Sequence, residues 1–405
     1  MLKPEKRPFL IKSFNLLSDS LGLNGDLNFD KLVRKSRKKT GLSELGTDFN
    51  DQALKILLKS INEEARLNPF GKLMIREKLI GQLENRLWAT HWFNKHPEIL
   101  EEEVLPIVLI TGLQRTGTTK MQRLLSDLSG ARGLMSWEAL YPAPIKNSNE
   151  SRRRIGRTLR NEKAIKWISP LFQEIHPIHA DKPEEDILLL DVHFMSSSSE
   201  AIMHVPSYAA WLDNQHHTEA YEYEKKLLLL LQWQKSGKYW VLKSPHHLEF
   251  LDQFTIVFPD TKIVWMHRSI EHCIPSFLSM LYFSRCMFSD NVNQDAIKNH
   301  WLRKLAAMLH SGVKFRKDFP DKIIDVSFSD FMENEKLILS DIIAQMPCIA
   351  ENLHKSKDNI NERIYKSKHM YNLKDWDLDV PGLKSQFSEY VELISRLEIS
   401  NEIHE

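Results

Sequence analysis

The hydrophobic positions in the first hundred residues recur at intervals of three and four, which is the spacing of one face of an α-helix. Almost no run in this region has the alternating or continuous apolar pattern of a strand. The pattern therefore predicts an all-helical segment over residues 1–100. The positions that carry it most clearly are Leu54, Leu57, Leu58, Ile61, Leu79, Leu83 and Leu87.

The pattern changes at Val104, where the sequence VLPIVLITG is a nearly continuous apolar run that ends in glycine. Such a run is typical of a strand that is buried on both faces of a parallel sheet. Similar runs occupy residues 239–243, 262–267 and 323–328, and segments of helical periodicity separate them, including residues 296–318. This alternation predicts an α/β fold, a parallel sheet flanked by helices.

These patterns divide the chain into a helical N-terminal segment, residues 1–100, and an α/β domain, residues 101–405. The stretch from about 135 to 238 is rich in Pro, His, Ser and Trp and has mixed periodicity, as expected of insertions that shape a substrate cavity. Its apolar side chains are candidates for the lining of that cavity, and equally for ordinary core positions. The candidates are Trp137, Tyr141, Met203, Tyr208 and Trp211.

Composition narrows the choice of partners. The 405 residues include 55 Lys and Arg against 54 Asp and Glu, so the formal net charge is only +1. A chain with so little net charge has no global field for nucleic acid, and a polyanionic ligand has to be held by a local cluster. We therefore expect no nucleic-acid partner.

The cysteines and the lengths of the apolar runs indicate the cellular compartment of the protein. The three cysteines, Cys273, Cys286 and Cys348, have neither disulfide nor metal-type spacing, which favours a reducing compartment. No apolar run approaches the roughly 18 to 20 residues that span a bilayer, and the N-terminus lacks a signal-peptide pattern. These features predict a soluble, cytoplasmic protein without a metal site.

A glycine-rich segment, GLQRTGTT over residues 112–119, follows the first predicted strand and opens a helix. We call it the glycine loop. Unpaired N–H groups at a helix N-terminus bind phosphate-type anions, which predicts a P-loop-type nucleotide-binding core. The nucleoside-triphosphatase form requires GxxxxGK[ST], but Thr118 takes the lysine position and Arg115 supplies a cation instead. The loop suits a phosphosulfate or a shorter phosphate better than a triphosphate.

A second candidate anion site lies where the predicted strand 262–267 ends. Arg268 follows this strand directly, and Ser276 lies eight residues later in a predicted helix. The carboxyl edge of an open α/β sheet is where ligands bind, and the planar guanidinium suits bidentate contact with phosphate. The alternative is that Arg268 pairs with a local carboxylate such as Glu271.

Taken together, the glycine loop, the Lys243-Ser-Pro segment at a strand end, and Arg268 with Ser276 resemble the sulfotransferase family. The resemblance covers roughly residues 104–380 and is greatest to bacterial members with LKSPxHL and HR(x7)S segments. It implies transfer of a sulfuryl group from 3'-phosphoadenosine 5'-phosphosulfate to a hydroxyl or amine of a small-molecule, lipid or glycan acceptor, with no metal. It also implies donor-binding roles for particular residues: Arg115, Thr116, Gly117, Thr118 and Thr119 at the 5'-phosphosulfate, and Arg268 and Ser276 at the 3'-phosphate.

The same resemblance suggests catalytic roles. Sulfuryl transfer through a loose transition state builds negative charge on the leaving oxygen, so cations should surround it. Arg115 and Lys243 are the candidates for these cations. Relatives close to protein-tyrosine sulfotransferases use a glutamate a little over twenty residues beyond the loop cation, and Glu138 lies 23 residues after Arg115. Glu138 is therefore the expected general base, and His247 is a rival.

Three segments depart from the pattern or match it weakly. Lys120 stands where many cytosolic members have an aromatic residue that stacks on adenine. Residues 363–373 resemble the HxYxL tail of bacterial relatives, and this resemblance implies that they close over the nucleotide. Residues 181–186, DKPEED, resemble an acidic loop of the family, but an acidic run of this kind is also typical of a solvated helix start.

Two other functions fit parts of the sequence. A P-loop kinase or nucleoside triphosphatase would use the glycine loop, but Thr118 replaces its lysine and no Mg²⁺-binding Asp is evident at a strand end. A non-catalytic nucleotide-binding protein would use the helical N-terminal segment to dock a partner.

Overall fold

The computed structural model describes residues 2–20, 25–147, 149–353 and 372–404. Within these ranges, five strands form one parallel sheet in the order β2-β3-β1-β4-β5. The strands are β1 (Ile107–Thr111), β2 (Ala131–Gly133), β3 (Tyr239–Lys243), β4 (Lys262–His267) and β5 (Ile323–Ser327).

The four strands expected from apolar runs are confirmed, with small corrections at their ends. The first begins at Ile107 rather than Val104, directly after Pro106, which has no N–H to donate. The last ends at Ser327, because Phe328 already begins a helix. The edge strand β2 was not predicted, since its three residues, Ala-Arg-Gly, carry no hydrophobic pattern.

The helical character expected of residues 1–100 is also confirmed. Asn28, Asn50 and Asn68 cap three of the helices by accepting a hydrogen bond from a backbone N–H in the first turn. A single 3-10 turn, Pro97–Leu100, leads into the sheet. The helices are α1 (Phe9–Ser20), α2 (Phe29–Thr40), α3 (Asp51–Glu64) and α4 (Pro69–Lys95).

The rest of the described chain contributes sixteen more helices, and most of the stretch between 135 and 238 is helical. They are α5 (Thr118–Ser126), α6 (Ser136–Leu140), α7 (Arg152–Ile168), α8 (Pro170–Ile175), α9 (Ile187–Leu190), α10 (Ser198–Ile202), α11 (Pro206–Leu212), α12 (Thr218–Gln234), α13 (Leu251–Val257), α14 (Ile270–Cys286), α15 (Gln294–Asp318), α16 (Phe328–Glu333), α17 (Glu335–Ala344), α18 (Pro347–Leu353), α19 (Val380–Gln386) and α20 (Ser388–His404).

Both faces of the sheet are covered, as the continuous apolar runs require. Along β1, Leu109 packs into the larger core, which also contains the apolar residues of α3, α4 and α12. The neighbouring Val108 and Ile110 point the other way, into a smaller core with α5 and α17. The N-terminal helices thus share a hydrophobic core with the sheet, and the division into two units near residue 100 stays a prediction.

Candidate anion-binding site at the strand ends

The register of the sheet brings three strand ends together. Ile110 lies beside Lys243, and Thr111 lies beside Trp265. The Thr111 hydroxyl donates a hydrogen bond of 3.1 Å to the Ser244 carbonyl, which ties the chain after β1 to the chain after β3. The glycine loop, the Lys243 segment and Arg268 therefore leave the sheet at one edge.

The glycine loop needs its two glycines for backbone reasons. Gly112 has φ +134°, and a Cβ there would lie 2.4 Å from the Met266 carbonyl oxygen. Gly117 has φ +88°, and its Cβ would lie 3.1 Å from the Phe328 ring. Side chains rarely tolerate such a backbone or such contacts. The loop therefore folds tightly against β4 and the end of β5.

The loop ends at the first turn of α5. Gly117 occupies the N-cap position, and no side chain caps the helix there. Thr118 begins the helix and is buried, Thr119 is exposed, and the Thr116 hydroxyl donates 2.7 Å to the Leu113 carbonyl. Backbone N–H groups at an uncapped helix N-terminus carry a partial positive charge and bind anions.

Arg268 and Arg115 are both placed at this loop. The Arg268 guanidinium donates 2.8 Å to the Arg115 carbonyl and lies 4.0 Å from the centre of the Phe328 ring. The Arg115 guanidinium donates 3.1 Å to the Ile175 carbonyl. Among the described residues, neither arginine forms an ion pair with a carboxylate. In particular, Arg268 does not pair with Glu271, which was the alternative to anion binding.

Helix α14 adds a buried hydroxyl to the same region. Ser276 is buried in α14, and its Oγ makes no hydrogen bond within the part of the chain that is described. Cys273 lies one turn earlier. Burial raises the pKa of the Cys273 thiol to about 12, against an opposing effect from the charges of Arg268 and Arg115. Helix α14 begins at Ile270, two residues after Arg268, so Ser276 lies in its second turn.

Lys243, at the end of β3, is buried and pairs with Glu185. Its Nζ lies 2.6 Å from the Glu185 carboxylate. The chain before Glu185 is held by backbone hydrogen bonds: the Ser136 N–H donates 2.9 Å to the Lys182 carbonyl, and the Glu184 N–H donates 2.9 Å to the Leu134 carbonyl. The acidic run does lead into a helix, since Asp186 is the N-cap residue of α9, but Asp186 is buried and the carboxylate of Glu185 contacts Lys243 at the strand end.

Glu138 lies in α6, just beyond the edge strand, and its carboxylate is buried. Arg132 donates to both of its oxygens, at 2.6 Å and 2.9 Å, and the Met135 N–H donates to one of them at 3.1 Å. The two side chains form a closed ion pair that links β2 to α6.

His247 lies in a buried polar network with no exposed surface. Its Nε2 lies 2.9 Å from Asp186 and its Nδ1 lies 3.0 Å from the Tyr221 hydroxyl. Glu224 joins the network, and burial raises the pKa of its carboxyl well above the usual value, with a further contribution from Asp186. Within the described ranges, Asp186, Glu224 and His247 are the one group whose ligand atoms, all within 4.8 Å of one another, could hold a metal ion.

Three further segments bear on contact with the nucleotide: Lys120, Phe328 and the tail 363–373. Lys120 forms an ion pair with Glu335 and lies 4.8 Å from the centre of the Phe331 ring. The Phe328 ring, which sequence reasoning missed, lies against the glycine loop. Its signal was available, because Phe328 directly follows the apolar run of β5. Of the tail assigned to residues 363–373, the part up to residue 371 lies outside the described residues.

Of the candidates for the acceptor cavity, Tyr208 and Trp211 contact each other, with ring centroids 6.0 Å apart, and the others have different partners. Trp137 and Tyr141 pack under the guanidinium groups of Arg154 and Arg157. The Tyr208 hydroxyl donates 2.8 Å to the Phe194 carbonyl. Met203 lines a cavity of about 140 Å³ beside the end of α14. No acceptor pocket assembled from all five residues is evident among the described ones.

Three comparisons with known proteins bear on this site. The sequence model described as the sulfotransferase family matches residues 106–347. The solved structure of sulfotransferase STF1 from Mycobacterium tuberculosis H37Rv is 28% identical, with a TM-score of 0.75, and the match covers 89% of this chain and 98% of that one. Sulfotransferase STF9 from Mycobacterium avium has the same fold, at 21% identity and a TM-score of 0.77 over 91% and 97% of the two chains. No curated protein matches the sequence.

Proposed function

The chain belongs to the sulfotransferase family, and we propose that it transfers a sulfuryl group from 3'-phosphoadenosine 5'-phosphosulfate to a hydroxyl or amine of a small-molecule, lipid or glycan acceptor. The observation that carries this proposal is the hydrogen bond from Arg268 to the Arg115 carbonyl. It joins two anion-binding elements from different strand ends in one site. A nucleotide with an anionic group at each end fits such a pair.

The donor set suits both ends of this nucleotide. The 5'-phosphosulfate would contact Arg115 and the backbone N–H groups of Thr116, Gly117, Thr118 and Thr119. The 3'-phosphate would contact Arg268 and the Ser276 hydroxyl. Two features support this assignment: both arginines lack a carboxylate partner among the described residues, and the buried Ser276 Oγ has no hydrogen bond of its own. A charged ligand would satisfy all three groups.

Catalysis in this site would be positioning and charge stabilisation. The transition state for sulfuryl transfer is expected to be loose, as in phosphoryl transfer, with negative charge growing on the leaving oxygen. Lys243 and Arg115 are the cations we assign to that oxygen. Lys243 is buried, so its interaction with a developing charge is weakly screened by water. The Glu185 contact holds the ammonium at the strand end.

The general base is a carboxylate, and two glutamates compete for the role. Glu138 is the expectation from the family resemblance, but both of its oxygens accept hydrogen bonds from Arg132. The Glu185 side chain is 23% exposed, against 3% for that of Glu138, and it touches Lys243. These contacts support Glu185 more than Glu138 as the group that takes the acceptor's proton. His247 is disfavoured because both ring nitrogens already have buried partners.

Two further assignments complete the proposal. Because Lys120 is paired to Glu335, we assign the nucleotide base to the Phe328 ring, which lies against the glycine loop at Gly117. No described helix has the length and apolar character needed to cross a bilayer. A cytoplasmic location remains part of the proposal.

The proposal is tested by incubating cell extract with the protein and an isotopically labelled sulfate donor. Mass spectrometry should find products that are heavier by one labelled sulfuryl group. The Lys243→Ala variant, which keeps the glycine loop, should give none of them. Magnesium-dependent turnover of ATP would instead favour a kinase or nucleoside triphosphatase. An inert wild type that still binds nucleotide would favour a non-catalytic role.

A further inference from the structure

Helix α1 turns large apolar side chains away from the protein. Phe9, Leu10 and Leu17 are 79%, 68% and 63% exposed. Leu10, Phe14 and Leu17 are separated by steps of four and three and therefore share one face of the helix. An apolar face that points to water is a mark of an interaction site.

The neighbouring face of α1 is the one that holds it to the protein. Ile11 is buried in a small apolar cluster, and Asn15, one turn later, accepts a hydrogen bond of 2.9 Å from the Phe70 N–H. Because these contacts already anchor the helix, its exposed apolar side chains are not needed for folding. They are available for a ligand outside the chain.

The chain around this face is strongly basic. Lys3, Lys6 and Lys12 flank the apolar residues of α1. Helix α7 contains seven Arg and Lys residues and one Glu, although the whole chain has a net charge of only +1. The C-terminal end of α7 and helix α1 pack into one apolar cluster, which contains Ile11, Ile165 and Ile168.

The exposed part of α7 repeats the same chemistry. Arg160, Lys163 and Lys166 are exposed, and so is the indole of Trp167, which adjoins the buried Ile168. Basic side chains beside exposed Leu, Phe and Trp are the composition of helices that lie in the interface of a bilayer. Tryptophan is enriched at the depth of the headgroups.

We propose that α1 and the C-terminal end of α7 form a docking surface for an anionic lipid bilayer, which we call the basic apolar surface. The apolar side chains of α1 would enter the interface while the lysines and arginines contact lipid phosphates. The charge argues against a second copy of this chain as the occupant, because a symmetric contact would place like charges together.

The basic apolar surface lies close to the candidate site. Glu5, in the segment before α1, accepts hydrogen bonds from the Ser169 hydroxyl and the Leu171 N–H, at the start of α8. Ile175, at the end of α8, accepts the hydrogen bond from Arg115. Six helical residues span only about 9 Å. A lipid at the bilayer surface would therefore be presented near the glycine loop.

This proximity points to a lipid acceptor, and that further step rests on the proposed function. Docking to the bilayer does not depend on the proposed function. A membrane-bound protein with an acceptor in the same bilayer gains effective concentration without additional contacts to the acceptor.

Vesicle co-sedimentation tests the docking surface directly. We expect the protein to bind phosphatidylcholine vesicles that contain phosphatidylglycerol, and to bind pure phosphatidylcholine much more weakly. The double variant Leu10→Asp, Leu17→Asp should raise the lipid concentration for half-binding at least about tenfold. Lys163→Glu with Lys166→Glu should weaken binding about fivefold or more and reduce its salt dependence. Both pairs alter exposed side chains, and circular dichroism checks that the variants fold.

The matched control is Ile256→Asp on α13, where the isoleucine is 70% exposed and the helix itself contains no Lys or Arg. This variant should bind vesicles as the wild type does. Failure of the wild type to bind anionic vesicles, or undiminished binding by Leu10→Asp, Leu17→Asp, would overturn the proposal. A dimer in sedimentation analysis that this double variant dissociates would also overturn it, in favour of self-association.

The lipid acceptor is tested separately. Wild-type protein, labelled donor and vesicles made from extracted membrane lipids should give a labelled lipid, and the Leu10→Asp, Leu17→Asp variant should form it more slowly while binding nucleotide normally. Vesicle binding without any labelled lipid would leave docking intact and refute the lipid acceptor. If the wild type does not bind 3'-phosphoadenosine 5'-phosphate, the result counts against the proposed function instead.

Discussion

The guanidinium group of Arg268 donates a hydrogen bond of 2.8 Å to the backbone carbonyl of Arg115, 153 residues earlier in the chain. The bond connects the end of β4 to the turn of the glycine loop and leaves the other donors of Arg268 free of any carboxylate in the described residues. A guanidinium has five N–H donors, so one bond to a carbonyl does not exhaust it. Arg268 can thus hold the loop in place and still bind an anion.

Ser276 should contribute to nucleotide binding without contributing to stability. We expect Ser276→Ala to weaken binding of 3'-phosphoadenosine 5'-phosphate about 10- to 100-fold, since a hydrogen bond to a charged group is worth roughly 1.5 to 3 kcal/mol. Binding of 5'-AMP should not change. Unfolding by urea should show equal or higher stability, because the variant removes a buried hydroxyl that lacks a partner.

Ser279, one turn further along α14, is the control for this measurement. Its hydroxyl donates 2.8 Å to the Pro275 carbonyl and accepts from Trp376 at 3.0 Å. Ser279→Ala should lower stability and leave nucleotide affinity nearly unchanged. If the two variants behave alike in the binding assay, the 3'-phosphate assignment of Ser276 is wrong.

The glycine loop should not tolerate a side chain at Gly112. A Cβ there would collide with the Met266 carbonyl at 2.4 Å, and the φ of +134° is unfavourable for any other residue. We expect Gly112→Ala to lower the free energy of unfolding by at least about 2 kcal/mol and to abolish nucleotide binding. Urea denaturation and calorimetric titration measure the two effects.

Gly81, in the middle of α4, is the matched control. A Cβ there meets nothing within 4 Å. Gly81→Ala should raise the free energy of unfolding by roughly 0.5 to 1 kcal/mol, because alanine favours the helix over glycine. Equal stability of the two variants would show that the loop is not held as described.

The choice of general base predicts a difference between two conservative variants. Glu185→Gln should lower kcat about 10²- to 10⁴-fold, with little change in donor affinity. Glu138→Gln should mainly lower stability, because it replaces one member of the buried ion pair with Arg132. The opposite outcome, a large kcat loss confined to Glu138→Gln, would return the role to Glu138.

The buried network of Asp186, Glu224 and His247 predicts a pH-dependent stability. The pKa of Glu224 is raised well above its usual value of 4.5, so above about pH 4.5 the folded state keeps a proton that the unfolded state loses first. Stability should therefore fall as pH rises from about 5 toward the folded-state pKa, by up to about 1.4 kcal/mol per pH unit. Glu224→Gln removes this titration, so its free energy of unfolding should fall less steeply than that of the wild type over pH 5 to 8.

A cation bound to this network would make the carboxylate of Glu224 stabilising instead of destabilising. If Asp186, Glu224 and His247 hold a divalent ion, then EDTA and Glu224→Gln should both destabilise the protein, and purified protein should contain the metal in stoichiometric amount. Parallel curves of unfolding free energy against pH for wild type and variant would contradict the raised pKa of Glu224.

The sequence predicted the parts of this site that are local. β1, β3 and β4 are continuous apolar runs, and the groups that matter directly follow them: Gly112, Lys243 and Arg268. Once the strands were recognised, the carboxyl edge of a parallel sheet brought these groups together. The proximity of these two candidate anion-binding elements could therefore be predicted without coordinates.

The missed features depend on pairings between distant segments. Glu185 contacts Lys243 across 58 residues, and Asp186 contacts His247 across 61. Neither contact can be predicted from local periodicity, because the packing of the intervening helices decides which side chains meet. The edge strand β2 could not be predicted for a different reason: its three residues are too few to show a hydrophobic pattern.

Calorimetric titration with two nucleotides tests the central claim most directly, because it asks whether one site holds both anionic ends of the donor. Wild-type protein should bind 3'-phosphoadenosine 5'-phosphate about 100-fold or more tightly than 5'-AMP, and Arg268→Ala should bind the two with nearly equal, weak affinity. Equal affinity of the wild type for both nucleotides, or full affinity for the bisphosphate in Arg268→Ala, would contradict the account.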